Sequence, residues 1–220
     1  MVETALTVVL VAAGRGTRLG GENKVWRQID GRPLWWWAAS RFSDLVREAV
    51  VVVSPDRVAD AGEHASALPF PVRALAGGRE RWESSAIGIR AVTTAYVAVH
   101  DAARPLVSSV LITRVLHAAR ETGAALPGLP ATDTVKLVEH GHVKKTLPRA
   151  SVILAQTPQI FRTDWAMSSL RQQPGGVTDD VSWLEAAGHP VAVVEGESVN
   201  RKVTTGEDWD WLLQHWRDPR

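Results

Sequence analysis

The chain has 220 residues, enough for one α/β domain, and with 45% hydrophobic residues it is too apolar to be disordered. Its 25 basic and 24 acidic residues give a formal net charge of +1, which offers no electrostatic basis for binding nucleic acid or a membrane surface. The chain contains no cysteine, which excludes disulfides, thiolate nucleophiles and cysteine-ligated metal sites.

The beginning of the chain lacks the features of a targeting signal. Glu3 stands where a secretory signal peptide carries positive charge, and the apolar stretch at residues 5–13 is too short to cross a bilayer. This stretch is almost continuously apolar, which is typical of a buried parallel strand. We therefore expect a cytoplasmic protein with neither a membrane nor a nucleic acid as its partner.

Short apolar runs alternate with longer amphipathic segments along the chain. The predicted strands span residues 6–11, 49–53, 72–75, 95–99, 123–126, 153–155 and 191–194. The predicted helices span residues 33–42, 55–65, 79–91, 107–120, 163–171, 179–187 and 206–216. This alternation predicts an α/β fold with a doubly wound, mostly parallel sheet covered on both faces, in one domain over residues 1–220.

Tryptophan is unusually frequent, with ten residues against three phenylalanines and one tyrosine. Three of them are consecutive, at positions 35–37, inside the first predicted helix. Successive helical residues point about 100° apart, so these three side chains cannot share one face. We expect at least one of them to lie at an interface.

The last predicted helix is amphipathic. Its apolar face consists of Trp209, Leu212, Leu213 and Trp216, which recur at helical spacing. Thr205 stands where an N-cap residue is needed. The pattern predicts that this face packs on the core.

Residues 132–150 interrupt the alternation of strands and helices. Two β-rich runs are joined by a short polar link at 139–141, which predicts a hairpin with Gly141 in the turn. The segment has little apolar surface to bury in the core of its own chain. It is either a solvated surface hairpin or an arm that packs on another subunit.

The first predicted strand runs into AAGRG at residues 12–16, followed by Arg18 and Lys24. Small residues allow a ligand to approach the backbone, successive N–H groups can bind an anion, and the two cations suit a polyphosphate. A dinucleotide fingerprint would need glycine where Leu19 stands, and no Walker A motif occurs. A glycine-rich turn without a ligand is the alternative.

The segment HDAARP, at residues 100–105, follows the predicted strand at 95–99. Ligands of open α/β sheets bind at the carboxyl ends of the strands. Asp101 can there hold Mg²⁺ that bridges nucleotide phosphates, and Arg104 suits a second substrate with a phosphate group. An ion pair between these two residues within the loop is the alternative.

Taken together, these motifs resemble the 2-C-methyl-D-erythritol 4-phosphate cytidylyltransferase family of the non-mevalonate isoprenoid pathway. The resemblance covers almost the whole chain. The matching segments are AAGRGTRLG at 12–20 with Lys24, GGRERWES at 77–84, HDAARP at 100–105, DTVK at 133–136, Arg149, QTPQ at 156–159, TDD at 178–180 and NRKVT at 200–204. The HDAARP and QTPQ segments are specific to the family, whereas the glycine loop alone indicates only a sugar-nucleotidyltransferase-like fold.

The resemblance implies a Rossmann-like, GT-A-like nucleotidyltransferase that uses CTP and Mg²⁺. In the family, the phosphate of methylerythritol phosphate attacks the α-phosphorus of CTP in line and releases pyrophosphate. The implied nucleotide-binding residues are Ala12, Ala13, Gly14, Gly16, Gly77, Gly78, Ser84, Asp101 and Ala102. The implied catalytic cations are Arg18, Lys24 and Lys202. Arg104, Thr134, Arg149, Thr178 and Lys202 are the implied contacts of the second substrate, and Asp101 is the implied metal ligand.

In the family, the hairpin arm reaches across a homodimer, so Thr134 and Arg149 would complete the neighbouring site. A closed two-fold dimer is also the commonest oligomer. The chain departs from the family pattern at Val199, where an acidic residue is usual, and at Trp26, where a smaller residue is common. Asn200 is a possible second metal or solvent contact by looser analogy. These departures concern metal binding and loop geometry rather than the reaction class.

The attacking phosphate oxygen is already ionised near neutral pH and needs no general base. We therefore expect His100 to be a structural, hydrogen-bonding residue. The residues alone leave three other functions open. These are a cytidylyltransferase for another polyol phosphate such as ribitol 5-phosphate, a nucleotide-binding homologue without turnover, and, more distantly, an oxidoreductase.

Overall fold

The structure is a computed structural model that describes residues 6–14, 23–172 and 179–216. The strands are β1 (Leu6–Val11), β2 (Gln28–Ile29), β3 (Arg32–Pro33), β4 (Glu48–Val53), β5 (Val72–Ala76), β6 (Tyr96–Asp101), β7 (Ala124–Pro130), β8 (Val135–Glu139), β9 (His142–Leu147), β10 (Ile153–Ala155), β11 (Gln159–Arg162) and β12 (Ala192–Glu195). The helices are α1 (Leu34–Ser40), α2 (Val58–Ala65), α3 (Arg81–Arg90), α4 (Ser109–Thr122), α5 (Thr163–Gln172), α6 (Ser182–Ala186) and α7 (Gly206–His215).

The centre of the main sheet is parallel, in the order β6-β1-β4-β5. Strand β1 is almost entirely buried, because helices cover both faces of the sheet. The chain passes from β1 to β4 on one side and later crosses back, through α3, to β6 on the other side. This change of direction opens a crevice at the carboxyl end of β1, which is where open α/β sheets bind ligands.

The other half of the sheet is mixed. Strand β7 pairs in parallel with β12 and antiparallel with β10 and β11, and β11 also pairs antiparallel with β6. The predicted α/β class with a parallel core is confirmed. Strand β11 was not predicted, because four residues that lead directly into α5 give no alternation and no turn signal of their own.

Two other local features differ from the sequence prediction. Strands β2 and β3 form a small hairpin around Asp30 and Gly31, a pair of residues that favours such turns. Strand β6 extends to Asp101, so His100 and Asp101 belong to the strand rather than to a following loop. The register pairs Asp101 with Val11, which extends the ladder to the rim of the crevice.

The arm, residues 132–150, contains the predicted hairpin, in which β8 and β9 form a separate two-stranded sheet. His140 and Gly141 occupy the turn with φ of 48° and 79°, a left-handed pair that suits a two-residue hairpin. Val138 and Val143 are 53% and 63% exposed. The contact between this arm and a second subunit stays a prediction.

Helix α7 begins at the predicted N-cap, where the Thr205 hydroxyl accepts a hydrogen bond from the Asp208 N–H. Trp209 and Leu212 are buried as predicted, whereas Leu213 is 49% exposed, so its assignment to the core face was wrong. Leu213 lies about 100° around the helix from Leu212, which takes it out of the apolar stripe. Within the described residues, no helix is both long and apolar enough to cross a membrane.

The three consecutive tryptophans lie on α1. Trp35 and Trp37 are buried in different apolar clusters, the first beside β1 and the second beside α7, and Trp36 is partly buried. The three rings therefore do point in different directions. The expectation that one of them lies at an interface stays a prediction.

Candidate active site

A cleft of about 390 Å³ lies at the carboxyl ends of β1 and β6, where the topology predicts a ligand site. It is lined by Val11, Ala12, Ala13, Gly14, Lys24, Val25, Gly78, Arg79, Glu80, Arg81, Ser84, Asp101, Ala103, Lys202 and Thr204. The fold thus brings together segments from both ends of the chain. Eight of the sixteen site residues predicted from the sequence are among them.

One wall of the cleft is closely packed from small residues. A Cβ atom added to Gly77 would lie 2.5 Å from Ala13 Cβ and 2.7 Å from Ser84 Oγ, so only glycine fits there. Ser84 Oγ also accepts a hydrogen bond of 3.2 Å from the Gly78 N–H. Because of this packing, the backbone at residues 77–78 lies close to Ala13. These residues give the wall a surface without bulky side chains.

A capping box fixes the start of α3 beside this wall. The Glu83 carboxylate accepts hydrogen bonds from the N–H groups of Arg79 at 2.6 Å and Glu80 at 2.9 Å. Two N–H groups that would otherwise bind an anion are thereby occupied. These two amides are therefore not available to an anion in the cleft.

Three cations converge on Asp101 at the end of β6. Lys202 Nζ lies 2.9 Å and Arg104 Nε 3.4 Å from Oδ2, while Arg81 Nη2 lies 3.2 Å from Oδ1. Burial by itself raises the pKa of Asp101, but the charges of Arg81, Lys202 and Arg104 outweigh it and hold the pKa well below its usual range. Asp101 is consequently a carboxylate that gathers positive charge at the rim of the cleft.

Arg81 also binds a second carboxylate, which is not among the predicted site residues. Its Nη1 and Nη2 atoms lie 3.1 and 2.8 Å from Oδ1 and Oδ2 of Asp180, a bidentate pair. Asp180 is 1% exposed and Asp101 6% exposed. Burial lowers the pKa of Arg81, but the two carboxylates outweigh this effect and raise it above its usual value. Arg81 stands in the matching segment GGRERWES and Asp180 in the matching segment TDD. The resemblance to the family could therefore have pointed to both residues.

His100 is hydrogen-bonded at both ring nitrogens, as expected for a structural residue. Nδ1 lies 3.0 Å from Thr157 Oγ1, and Nε2 lies 3.1 Å from the carbonyl oxygen of Arg104. The same Thr157 hydroxyl accepts a hydrogen bond from the Asp101 N–H at 3.0 Å. Complete burial lowers the pKa of His100 to about 4, which keeps the ring neutral at physiological pH.

Several predicted residues lie beside the cleft without lining it. The Arg104 guanidinium is turned inward, where Nη1 donates to the Asn200 carbonyl oxygen at 2.7 Å. Ala102 is fully buried. Asn200 is also fully buried, and its Nδ2 atom donates to the Thr157 carbonyl oxygen at 2.9 Å.

The remaining predicted residues lie on the arm or outside the described part of the chain. Thr134 and Arg149 are exposed on the arm, where Arg149 Nη1 donates to the Thr132 carbonyl oxygen at 2.9 Å. Neither belongs to the cleft lining of its own chain. The predicted site residues that lie outside the described residues are Gly16, Arg18 and Thr178.

The donor set at Asp101 does not fit a preformed Mg²⁺ site. Arg81 occupies Oδ1, and Lys202 and Arg104 occupy Oδ2, so a bound cation would face three positive charges. Across residues 6–14, 23–172 and 179–216, no group of three or more His, Cys, Asp or Glu residues is placed to hold a metal ion. We therefore derive no reaction step through a metal ion on this carboxylate.

Comparison with known sequences matches almost the whole chain to one protein family. A family model described as IspD, 2-C-methyl-D-erythritol 4-phosphate cytidylyltransferase, matches residues 6–212. A cytidylyltransferase of that name from Cereibacter sphaeroides is 39% identical over 207 residues, which cover 91% of this chain and 92% of that protein. A bifunctional IspD/IspF enzyme from Rhodospirillum rubrum is 39% identical over 210 residues.

The bifunctional relatives are longer than this chain. The match to the Rhodospirillum rubrum enzyme covers 92% of this chain but 55% of that protein, so the chain spans about half the length of such relatives. Among solved structures, the 2-C-methyl-D-erythritol 4-phosphate cytidylyltransferase from Thermus thermophilus superimposes with a TM-score of 0.76 at 34% identity. That superposition covers 93% of this chain and 95% of the other.

Proposed function

The chain belongs to the 2-C-methyl-D-erythritol 4-phosphate cytidylyltransferase family, and we propose that it transfers CMP from CTP to 2-C-methyl-D-erythritol 4-phosphate. The products are pyrophosphate and 4-diphosphocytidyl-2-C-methyl-D-erythritol. The supporting observation is the convergence of Arg81, Arg104 and Lys202 on Asp101, at a cleft that Lys24 also lines. This concentration of positive charge suits two substrates that both bear phosphate. We also propose that the reaction takes place in the cytoplasm.

We assign the cytosine end of CTP to the wall of small residues. Ala13 and the backbone at 77–78 leave a flat surface for a pyrimidine ring, and the Ser84 hydroxyl lies beside it. The full set of proposed nucleotide contacts is Ala12, Ala13, Gly14, Gly16, Gly77, Gly78, Ser84, Asp101 and Ala102.

The proposed reaction is a direct displacement at phosphorus. An oxygen of the methylerythritol phosphate forms a bond to the α-phosphorus of CTP, while the bond from that phosphorus to the α,β-bridging oxygen breaks. Pyrophosphate leaves with the electron pair, and no proton has to be removed from the attacking oxygen. Lys24, Lys202 and Arg18 would stabilise the charge that develops on the phosphate oxygens. Arg104, Thr134, Arg149, Thr178 and Lys202 are the proposed contacts of the second substrate.

The expected Mg²⁺ ion would have to enter together with CTP. Mg²⁺ in nucleotide sites is usually held by one or two carboxylates and by the substrate phosphates. A triphosphate would compete with Asp101 for Lys202 and so leave Oδ2 with Arg104 as its remaining cation. We propose that Asp101 contacts such an ion after Lys202 has moved to the triphosphate.

We also propose that the enzyme is a homodimer in which the arm reaches the site of the neighbouring chain. Thr134 and Arg149 are exposed on the arm and do not line the cleft of their own chain. Val138 and Val143 on the same arm are more than half exposed, although both are apolar. A partner subunit would bury them.

The test is an assay of the purified chain for release of pyrophosphate. CTP and Mg²⁺ are supplied with methylerythritol phosphate, with ribitol 5-phosphate, or with no acceptor, and ATP replaces CTP in a parallel set. We expect turnover with CTP and methylerythritol phosphate that exceeds every other combination. Equal or greater turnover of ribitol phosphate would reassign the substrate. Binding of CTP without turnover of either acceptor would identify a non-catalytic homologue.

A further inference from the structure

Both lysines that line the cleft lie in segments with little regular structure. Lys24 begins a single 3-10 turn over Lys24–Trp26, and Lys202 lies in the irregular segment at residues 201–204. A catalytic group displaced by about 1 Å can lose about a hundredfold in rate. Some other part of the molecule must therefore hold these two segments in place.

The first segment is attached to α7 by a cation–π contact. The Arg27 N–H donates to the Lys24 carbonyl oxygen at 3.2 Å, which closes the turn that begins at Lys24. The guanidinium carbon of Arg27 lies 4.2 Å from the centre of the Trp209 ring, well within the range of an attractive contact. Trp209 is 7% exposed and packs in an apolar cluster with Ile29 and Leu34. Arg27 thus ties the turn of Lys24 to a fixed aromatic ring.

The second segment is attached to the first turn of the same helix. Arg201 Nη2 lies 2.7 Å from Asp208 Oδ1, and the Arg201 guanidinium lies 5.5 Å from the centre of the Trp211 ring. Asp208 Oδ2 accepts hydrogen bonds from the Thr204 N–H at 2.8 Å and the Thr204 hydroxyl at 2.6 Å. The residues on both sides of Lys202 are therefore bonded to one buried carboxylate.

We propose that Asp208, Trp209 and Trp211, which we call the α7 anchor, position the two lysines of the cleft. Arg27 connects the anchor to Lys24, and Arg201 connects it to Lys202. Neither arginine lines the cleft, so both act through another residue and are positioning residues. The inference rests on the proposed function, in which these lysines bind the triphosphate of CTP.

The chain provides a matched control for these contacts. Arg162 pairs with Asp164 at 2.6 Å and lies 5.3 Å from the centre of the Trp165 ring, the same two contacts that Arg201 makes. In the pairing of β11 with β6, Arg162 lies opposite Tyr96. Tyr96 is the first residue of β6, and Asp101 is the last. The control contact thus lies about 16 Å from the cleft along the strand.

The experiment compares Arg27→Met, Arg201→Met and Arg162→Met, together with Arg27→Lys and Arg201→Lys. Methionine keeps an unbranched apolar side chain and removes the charge, whereas lysine keeps the charge. KM and kcat for CTP are measured well below the melting temperature of each variant, and binding of inorganic tripolyphosphate is measured by calorimetry. We expect Arg27→Met and Arg201→Met to lose about tenfold in kcat/KM for CTP and to bind tripolyphosphate less tightly. The two lysine variants should recover part of this loss, and Arg162→Met should stay within twofold of the wild type.

The proposal is overturned if Arg27→Met and Arg201→Met have the same KM, kcat and tripolyphosphate affinity as Arg162→Met. A merely structural role would lower the melting temperatures but leave these quantities unchanged. Failure of the proposed function gives a different result, because the wild type would then fail to transfer CMP. In that case, weaker tripolyphosphate binding by the two variants alone would still support the α7 anchor, and equal binding would refute it.

Discussion

Lys202 Nζ lies 2.9 Å from Asp101 Oδ2, although Asp101 ends the central strand β6 and Lys202 lies just before the last helix. The Asp101 side chain is 9% exposed and that of Lys202 is 37% exposed. The carboxylate therefore holds the ammonium group at the edge of the cleft while leaving part of it open to a ligand.

Replacement of Asp101 by asparagine should lower the rate strongly. Asp101→Asn keeps the size of the side chain but leaves Arg81, Arg104 and Lys202 without the charge on which they converge. We expect kcat/KM for CTP to fall by about 10²–10³. Steady-state kinetics with both substrates measures this effect.

Asp164→Asn is the control for that variant, because it removes a carboxylate from an exposed pair with Arg162. It should change neither kcat nor KM, because this exposed pair lies about 16 Å from the cleft along β6. Equal activity of Asp101→Asn and Asp164→Asn would show that the convergence of cations has no part in the reaction.

Gly77→Ala should disturb the packing of the wall of small residues in the cleft. The new methyl group would lie 2.5 Å from Ala13 Cβ and 2.7 Å from Ser84 Oγ, so the wall must move. Overpacking of this kind costs about 1–3 kcal/mol, and KM for CTP should rise. Gly62→Ala on α2 has no heavy atom within 4 Å of its new methyl group and serves as the control. If both variants bind CTP like the wild type, the wall is not the nucleotide site.

Arg81→Met should destabilise the fold and reduce activity together. It leaves Asp180, which is 1% exposed, without its bidentate partner. An unpaired buried carboxylate costs several kcal/mol, and we expect about 2–3 kcal/mol because Arg81 itself is partly exposed. Thermal unfolding measures the loss, and Arg81→Lys should restore only part of it because lysine cannot form the bidentate pair. An unchanged melting temperature would contradict this role of Arg81.

The stability of the protein should depend on Asp208 in acid. Burial raises the pKa of Asp208, but hydrogen bonds from Thr204 and Thr205 outweigh it and hold the pKa below its usual value. The folded carboxylate is thus stabilised relative to the unfolded one, whose pKa is about 3.9. This contribution is fully present above about pH 5 and is lost as the pH falls below about 4.

Asp208→Asn tests that pH dependence, because asparagine is also a good residue near a helix N-terminus but does not ionise. Its free energy of unfolding should lie below that of the wild type at pH 7, and the difference should shrink at pH 3. Urea unfolding at pH 7, 5 and 3 gives this comparison. A difference that stays constant over the range would show that ionisation of Asp208 is not the cause.

Subunits that lack different parts of one shared site should complement each other. Lys24→Ala removes a cleft residue and Arg149→Ala removes an arm residue, so each homodimer should be nearly inactive. In a mixed dimer, one of the two sites would combine an intact cleft with an intact arm. We expect activity to return after co-refolding of the two variants. No recovery, despite heterodimers detected by mass spectrometry, would exclude a site shared between chains.

Local patterns in the sequence were sufficient to predict the parallel half of the sheet and the arm. Strands β1 and β4 consist mainly of β-branched and apolar residues, which are typical of a buried parallel sheet. Gly141 lies between two alternating runs, which predicts a hairpin turn from neighbouring residues alone. The short motifs likewise indicated the family and most of the cleft lining, because each of them is a contiguous segment of the chain.

The pairing of charges was decided only by the tertiary structure. The motifs allowed Arg104 to pair either with a phosphate or with Asp101, and the fold shows the pair with Asp101 together with a hydrogen bond to the Asn200 carbonyl oxygen. The predicted site residues included neither Arg81 nor Asp180, although these two form a bidentate pair beside Asp101. A charged side chain can pair with any opposite charge that the fold brings near, and residues far apart in the chain meet only when the sheet and helices have packed. Composition and spacing therefore indicate which groups are present, and packing determines which of them bind one another.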